Sequence, residues 1–338
     1  MNRLLLITAI FCSVSPLARA DESDPRNANL EVHLDPHQVV GYESCQKCHA
    51  SEISVWKQTP HHTTFMTLHR NPDAQAIASR MGVQSFKNDS ACIKCHYTMQ
   101  ADTNHSLQAL SGISCESCHG AAKNWIDHHN DFGGPNATRD TETAQHRIDR
   151  LRTSIAGGMR NPVNVYLIAQ SCYRCHTVPD EKLVNVGGHI AGSLDFEFVS
   201  WSQGTLRHNF VRTSGQTNDK SSRERLRQMF VAGMIADLEF SLRATAGATE
   251  KADFGVNAAK RASRAAKRLA AAQTKLNQPL LEDVLALFAG VELKLNNREP
   301  LQKAADQINL LGIRFAATVQ GSDLVAIDDF IPPEANWK

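Results

Sequence analysis

Histidine is missing from the last 130 residues of this 338-residue chain, since all fifteen lie between His33 and His208. Chemistry that needs imidazole is therefore confined to the first two thirds. Cysteine is missing everywhere except at Cys12 and in four copies of one pentapeptide. Aromatic residues are scarce at 6%, and 36 basic residues against 35 acidic ones leave no charge excess to recommend a nucleic-acid partner. Beyond the first twenty residues, no apolar run is long enough to span a bilayer.

The pentapeptide is CxxCH: Cys45/Cys48/His49, Cys92/Cys95/His96, Cys115/Cys118/His119 and Cys172/Cys175/His176. A disulfide framework or a zinc ribbon also uses paired cysteines, but neither explains a histidine after the second cysteine every time. Covalent haem attachment does. Two thiols at this spacing bond the two vinyl groups of one porphyrin, and the adjacent imidazole reaches the iron from the proximal side. Four motifs imply four haem c groups.

Residues 1–20 have the pattern of a secretory signal peptide. Arg3 supplies the positive start, Leu4 to Val14 the short apolar run, and Ala18-Arg19-Ala20 the small-residue cleavage site ahead of Asp21-Glu22. Cleavage there removes Cys12 and leaves eight cysteines for four haems. The mature chain then carries no membrane span, 34 basic residues against 35 acidic ones, and a periplasmic address. A membrane anchor or an acylated Cys12 fits less well, because the run is short and Ala9-Ile10-Phe11 makes a poor lipobox.

The expected fold class is mainly α: a loop-rich tetrahaem cytochrome c domain over residues 21–212 with the haems as its core, followed by a C-terminal helical bundle over 213–338. Short helices are expected at Ser51 to Lys57 and at Pro72 to Met81. The second has Asn71 as N-cap and Gly82 as its stop. Residues 130–147 read as an exposed loop. After a polar stretch, Ser221 and Glu224 form a capping box for a helix carrying Leu226, Met229, Phe230, Met234 and Leu238 at helical spacing. Further helices are expected over Thr249 to Leu276, from Pro279, and over Pro300 to Val319, with Gly321 as the final stop. The second of these four carries seven basic residues from Lys251 to Lys275, a solvated face or a docking surface for an acidic redox partner.

Four proximal histidines leave eleven others as candidates for the sixth ligand. His61 and His62 follow Trp56 and a Thr-Pro turn, and His128 and His129 follow Trp125 after the third motif. His189 follows Gly187-Gly188, where the backbone can approach a macrocycle closely. His208 lies in a Trp201 to Phe210 segment beside Arg207. His33, His37, His69, His105 and His146 have no such context and read as solvent-facing.

The first motif with Trp56 and Thr59-Pro60-His61 downstream, the run Gly112-Ile113-Ser114-Cys115-Glu116-Ser117-Cys118-His119-Gly120, and a histidine about ten residues later resemble the tetrahaem cytochrome c554 family, the electron carriers of ammonia oxidation. The likeness covers roughly residues 41–180. It implies closely packed haems and electrons accepted from hydroxylamine oxidoreductase. It also implies that His61 crosses to the third haem, that His129 or His128 crosses to the first, that a histidine after the fourth motif serves the fourth, and that the second haem is open. This chain departs from the pattern with two downstream candidates and an added helical region.

One histidine in a suitable context per iron makes His61, His129, His189 and His208 the distal set, with His62 and His128 as alternates. Bis-histidine haems pass electrons rather than bind substrate, so the expected role is a periplasmic electron carrier between redox partner proteins. An alternative is a haem enzyme acting on small nitrogen oxides, hydroxylamine or peroxide, with one five-coordinate haem and Arg160 or Arg207 assisting an oxyanion. A third reading makes the C-terminal helices the contact of a homo-oligomer.

Overall fold

The computed structural model describes residues 34–338, so the leader pattern, Cys12 and His33 lie outside the described residues. The described chain is mainly helical. Its first part strings short helices together: α1 (Ala50–Trp56), α2 (Pro60–Thr67), α3 (Pro72–Met81) and α4 (Ser90–His96). An antiparallel hairpin follows, β1 (Thr98–Ala101) with β2 (Leu107–Ser111), then α5 (Cys115–His119). After a long loop come α6 (Ala144–Ala156), α7 (Val165–His176), α8 (Glu181–Asn185) and α9 (Phe198–Gln203).

Local chemistry accounts for these boundaries. The Asn71 side chain accepts hydrogen bonds from the Asp73 and Ala74 amides, Pro72 occupies the first turn, and Gly82 closes α3 at φ 72°. Asp89, Thr143, Asp180 and Glu197 cap α4, α6, α8 and α9 in the same way. The sequence reading missed the hairpin, and it ran the 130–147 loop into α6, which starts at Ala144.

The second part holds α10 (Arg223–Ala246), α11 (Asp253–Leu276), α12 (Pro279–Ala289), α13 (Arg298–Thr318) and a 3-10 segment, Gly321–Phe330. Three expectations change here. Ser222, not Ser221, caps α10, accepting from the Arg225 amide. Gly321 does not merely stop a helix. It opens the 3-10 segment, where a Cβ would lie 2.2 Å from the Glu224 carbonyl oxygen. α10 is also more than one amphipathic member of a bundle: nearly every residue from Leu226 to Ala246 is buried, as befits a helix packed on all sides.

α10 runs between α7, α9, α11 and α13, so the main hydrophobic core crosses the boundary between the two parts. Tyr166 and Tyr173 of α7 and Phe198 of α9 join Ile235, Leu238, Leu269, Leu301 and Phe315 in it. Its buried charges are paired. Arg261 binds Asp237 at 2.6 Å, and Glu239 accepts from Tyr166 Oη at 2.6 Å, Gln170 Nε2 at 2.8 Å and Arg243 Nε at 2.9 Å. Arg261 is thus a core residue and not part of the basic face of α11. Of its neighbours, Arg264 reaches Asp195, Arg268 lies over Phe230 and Lys275 over Phe330.

Gly312 on α13 lets the Tyr166 ring sit flat against the helix, since a Cβ there would be 2.2 Å from Cζ of that fully buried ring. Gly312→Ala is expected to destabilise the fold by about 1–3 kcal/mol through overpacking. Urea unfolding should show a lower midpoint at an unchanged slope.

Candidate haem sites

Each CxxCH motif sits on or against a helical turn. α4 ends at His96, α5 spans Cys115–His119, α7 ends at His176, and His49 is the residue from which α1 starts. On a helix, positions i, i+3 and i+4 share one face, so both sulfurs and the imidazole of a motif project toward the same macrocycle. All eight described cysteines are free thiols. Cys45 contacts Cys115 by a side-chain hydrogen bond, and Cys95 contacts Cys175.

The eight cysteines differ in exposure. Seven are half-buried, whereas Cys48 is exposed. The other motifs carry their second cysteine inside a helix, but Cys48 lies on the turn between a short 3-10 segment (Tyr42–Cys45) and α1. Only its backbone is engaged there, the amide donating to the Cys45 carbonyl at 3.3 Å.

Every proximal imidazole faces a second imidazole. The ring centroids are 6.3 Å apart for His49 and His129, 6.4 Å for His96 and His189, 6.2 Å for His119 and His208, and 6.3 Å for His176 and His61. Two metal–nitrogen bonds of about 2 Å plus the two ring radii require a separation of about 6 Å, so each gap admits one iron. Burial pushes His96, His119 and His176 down to about 4 and also lowers His61 and His129, which keeps these rings in the neutral form that ligates metal. Three facing rings are oriented through Nδ1. His129 bonds the Ile126 carbonyl at 2.6 Å, His189 that of Ile190 at 2.8 Å, and His208 that of Leu206 at 2.5 Å. Nε2 is thereby left to point across the gap.

The alternates lie elsewhere. His62 packs edge-on against Trp56 at 4.6 Å, and His128 is exposed. Among the histidines read as solvent-facing, His146 bonds Glu142 at 2.8 Å and His37 lies 5.7 Å from His105. The partner of His61 also differs from the family pattern. That likeness implies the third motif, whereas the ring lies opposite His176 of the fourth, and His119 of the third faces His208. The four pairs gather in two couples: His119 is close to His49 and His129, and His96 is close to His61.

The apolar surface fits a large planar group as well. Seven of the ten large hydrophobic side chains left exposed among the described residues lie before residue 213: Met66, Leu107, Ile148, Val163, Val186, Ile190 and Val211. Ile190, at 77% exposure, is next to His189. A loop-rich region with so much uncovered apolar surface has room for macrocycles against it.

Several further residues hold the site, through contacts that sequence reasoning did not foresee. Glu116, inside the third motif, is buried and accepts from the amides of Val40, Gly41 and Ala122 at 2.8–3.0 Å, which ties the chain before the first motif to the third. Trp56 Nε1 donates to the Ile113 carbonyl at 2.7 Å, and at Gly112 a Cβ would lie 2.0 Å from the His61 carbonyl oxygen. Glycine there lets the approach to the third motif cross α2 in contact with its backbone. Arg160 is buried and bonds Leu167 O, Ser171 Oγ and Gln170 Oε1, so protein groups engage it and the oxyanion role does not fit. Burial lowers it to about 10, and it stays cationic at neutral pH. Glu116 is the one acidic residue inside a CxxCH here, since the other three motifs carry Lys47, Lys94 and Arg174.

Residues 44–120 match the family model described as cytochrome c554 and c-prime. Among curated proteins, cytochrome c-554 of Nitrosomonas europaea is 28% identical over 104 residues, covering 28% of this chain and 43% of that protein. The chain thus spans less than half the length of the curated relative it matches. No solved structure matches. Over this segment the chain is similar to c-type cytochromes of the c554 kind, a likeness that implies covalently attached haem c.

Arg150 forks onto Glu142 with two bonds of 2.7 Å and donates a third, also 2.7 Å, to the His129 carbonyl. Arg150, with His146, holds the Glu142 carboxyl at about 2, below its ordinary 4.5. A depressed folded value stabilises the fold above pH 4.5 and loses that contribution as pH falls toward 2. Urea titrations should show Glu142→Gln less stable than the parent at pH 6, with the difference shrinking as pH drops through this window.

Proposed function

We propose that the chain is a periplasmic tetrahaem c-type cytochrome that carries electrons between redox partner proteins. The haems belong to residues 21–212, beside a helical region over 213–338. The observation that carries this reading is the set of four facing imidazole pairs, one per CxxCH motif, at separations of 6.2–6.4 Å. His49, His96, His119 and His176 are the proximal ligands, and His129, His189, His208 and His61 face them in that order. The eight motif cysteines form the thioethers. Cys48 is among them despite its exposure, because the motif spacing and the facing pair at His49 are the same as at the other three. Haem, when bound, supplies a one-electron iron couple whose potential depends on axial ligands and surroundings.

The protein contributes fixed imidazoles, three of them tied through Nδ1 to backbone carbonyls, so that gain or loss of an electron calls for little rearrangement of the ligands. It also places the guanidinium groups of Arg160 and Arg174 beside the cysteines of the third and fourth motifs. A small-molecule enzyme would need a proximal ring with no imidazole opposite it, and the described residues offer each proximal ring a partner. The periplasmic address rests on the leader pattern at 1–20. No single helix among the described residues is long and apolar enough to cross a membrane.

Matured protein is expected to carry four haems per chain by the pyridine haemochrome assay. Its air-oxidised electron paramagnetic resonance spectrum should be entirely low-spin and unchanged by nitric oxide. A high-spin component that nitric oxide removes would replace the carrier with an enzyme. His189→Ala should convert one haem in four to a high-spin form that binds nitric oxide.

A further inference from the structure

α9 ends at Gln203, and within five residues the chain must deliver His208 to its place opposite His119. The loop's own bonds are few. The Arg207 amide reaches Gly204 O at 3.1 Å and the Leu206 amide reaches Trp201 O at 3.4 Å. Asn218 brackets the histidine itself, donating to Arg207 O at 2.6 Å and accepting from the Asn209 amide at 2.8 Å. A second segment, residues 332–338, lies against the start of the loop. The Lys338 amide donates to Ser200 O at 3.0 Å, and Lys338 O accepts from the Thr205 amide at 2.7 Å. The backbone of residue 338 thus bridges the end of α9 to the start of the loop.

The crossing is tight. A Cβ on Gly204 would sit 2.0 Å from Lys338 O and 2.6 Å from its carbonyl carbon, so only glycine lets the two backbones meet this way. Side chains lock it. The Arg207 guanidinium lies over the Trp337 ring at 5.9 Å, and the Lys338 ammonium over Trp201 at 5.8 Å. Lys220 pairs with Glu334. The segment follows Ile331 of the main core, and Trp337 packs back against that core, so both of its ends are fixed by the helical region.

We infer that residues 332–338 are a strap that positions His208 and thereby keeps the third haem closed to outside ligands. Gly204, Arg207 and Trp337 are positioning residues acting through His208. This rests on the reading of His208 as the ligand opposite His119. Loosening the strap frees the loop, and the sixth position of one haem out of four becomes available to small neutral ligands such as carbon monoxide.

The test uses the full, haem-loaded chain reduced with dithionite, with carbon monoxide uptake and the oxidised high-spin signal as readouts. The parent is expected to bind none, and His208→Ala one carbon monoxide per chain. Gly204→Ala and Trp337→Ala should each give the His208→Ala signature with the other three haems low-spin, reversed by added imidazole in all three variants. If His208→Ala opens no haem, the ligand assignment is wrong. If it opens one while Gly204→Ala and Trp337→Ala both stay closed, the strap is wrong. Loss of helical circular dichroism or haem in both strap variants also overturns it, since the segment would then be part of the general fold. If only Gly204→Ala loses structure, Trp337→Ala decides.

Discussion

Four pairs of imidazole rings held 6.2–6.4 Å apart are the constraint around which the rest of this structure is arranged. A ring pair at that separation gains nothing from mutual contact. Something else must fix each ring. The motif rings are fixed by their helical turns. Of the facing rings, three are fixed by a bond from Nδ1 to a backbone carbonyl one to three residues earlier or later, which sets both tautomer and direction. His61 is placed differently, by a backbone crossing in which α2 is pressed against Gly112.

Supporting groups follow the same logic at longer range. Glu116 uses three amide bonds to join the chain before the first motif to the third, and desolvation still raises its pKa. A buried carboxylate is costly unless its lone pairs are matched, and here backbone amides match them in place of a cation. Arg150 acts in the complementary way at the His129 carbonyl. These are long-range polar contacts in a region with little apolar core of its own. The continuous core belongs to α10 and its neighbours, and α7 brings the fourth motif into it.

How much of this the sequence discloses depends on range. The CxxCH motifs, the limits of α3 and the existence of four C-terminal helices are legible because spacing, caps and periodicity are local. The motif does not disclose its surroundings, and Cys48 is exposed where its seven counterparts are half-buried because its turn precedes a helix instead of lying in one. The four histidines that face the motif rings stand in contexts visible in the sequence, but which ring each one faces is not. That His61 lies opposite His176 depends on where α2 passes the third motif, a contact between residues about fifty apart. The centrality of α10 is hidden by its polar residues. Arg227, Asp237 and Glu239 look like a solvated face until Asp328, Arg261 and Tyr166 are seen to satisfy them across elements. Gly321 and Gly312 look like helix punctuation or a weak helical position, and each is instead a close approach.

The added helical region gains a purpose from the same constraint. His189 and His208 both lie beyond the segment that matches the c554 kind, and each leans on the helices. α8, just before His189, is clamped to the start of α11. Glu181 accepts from the Thr249 amide at 2.9 Å and from its hydroxyl at 2.6 Å, and Asn185 accepts from the Phe254 amide at 2.9 Å. Val184 packs with Ala244, Ala248, Phe254 and Ala258 in a small core beneath it. The loop before His208 meets residues 337–338 at Thr205 and Arg207, and Asn218 bonds the residues on either side of the histidine. A ring presented by a loop is only as well placed as whatever holds the loop, because each unrestrained residue adds about 1–2 kcal/mol of conformational entropy to be overcome. The first two facing rings, His61 and His129, come from chain woven between motifs and need no outside support. The later two come from chain with no motif after it, and the helices supply the fixed frame that further motifs would otherwise provide.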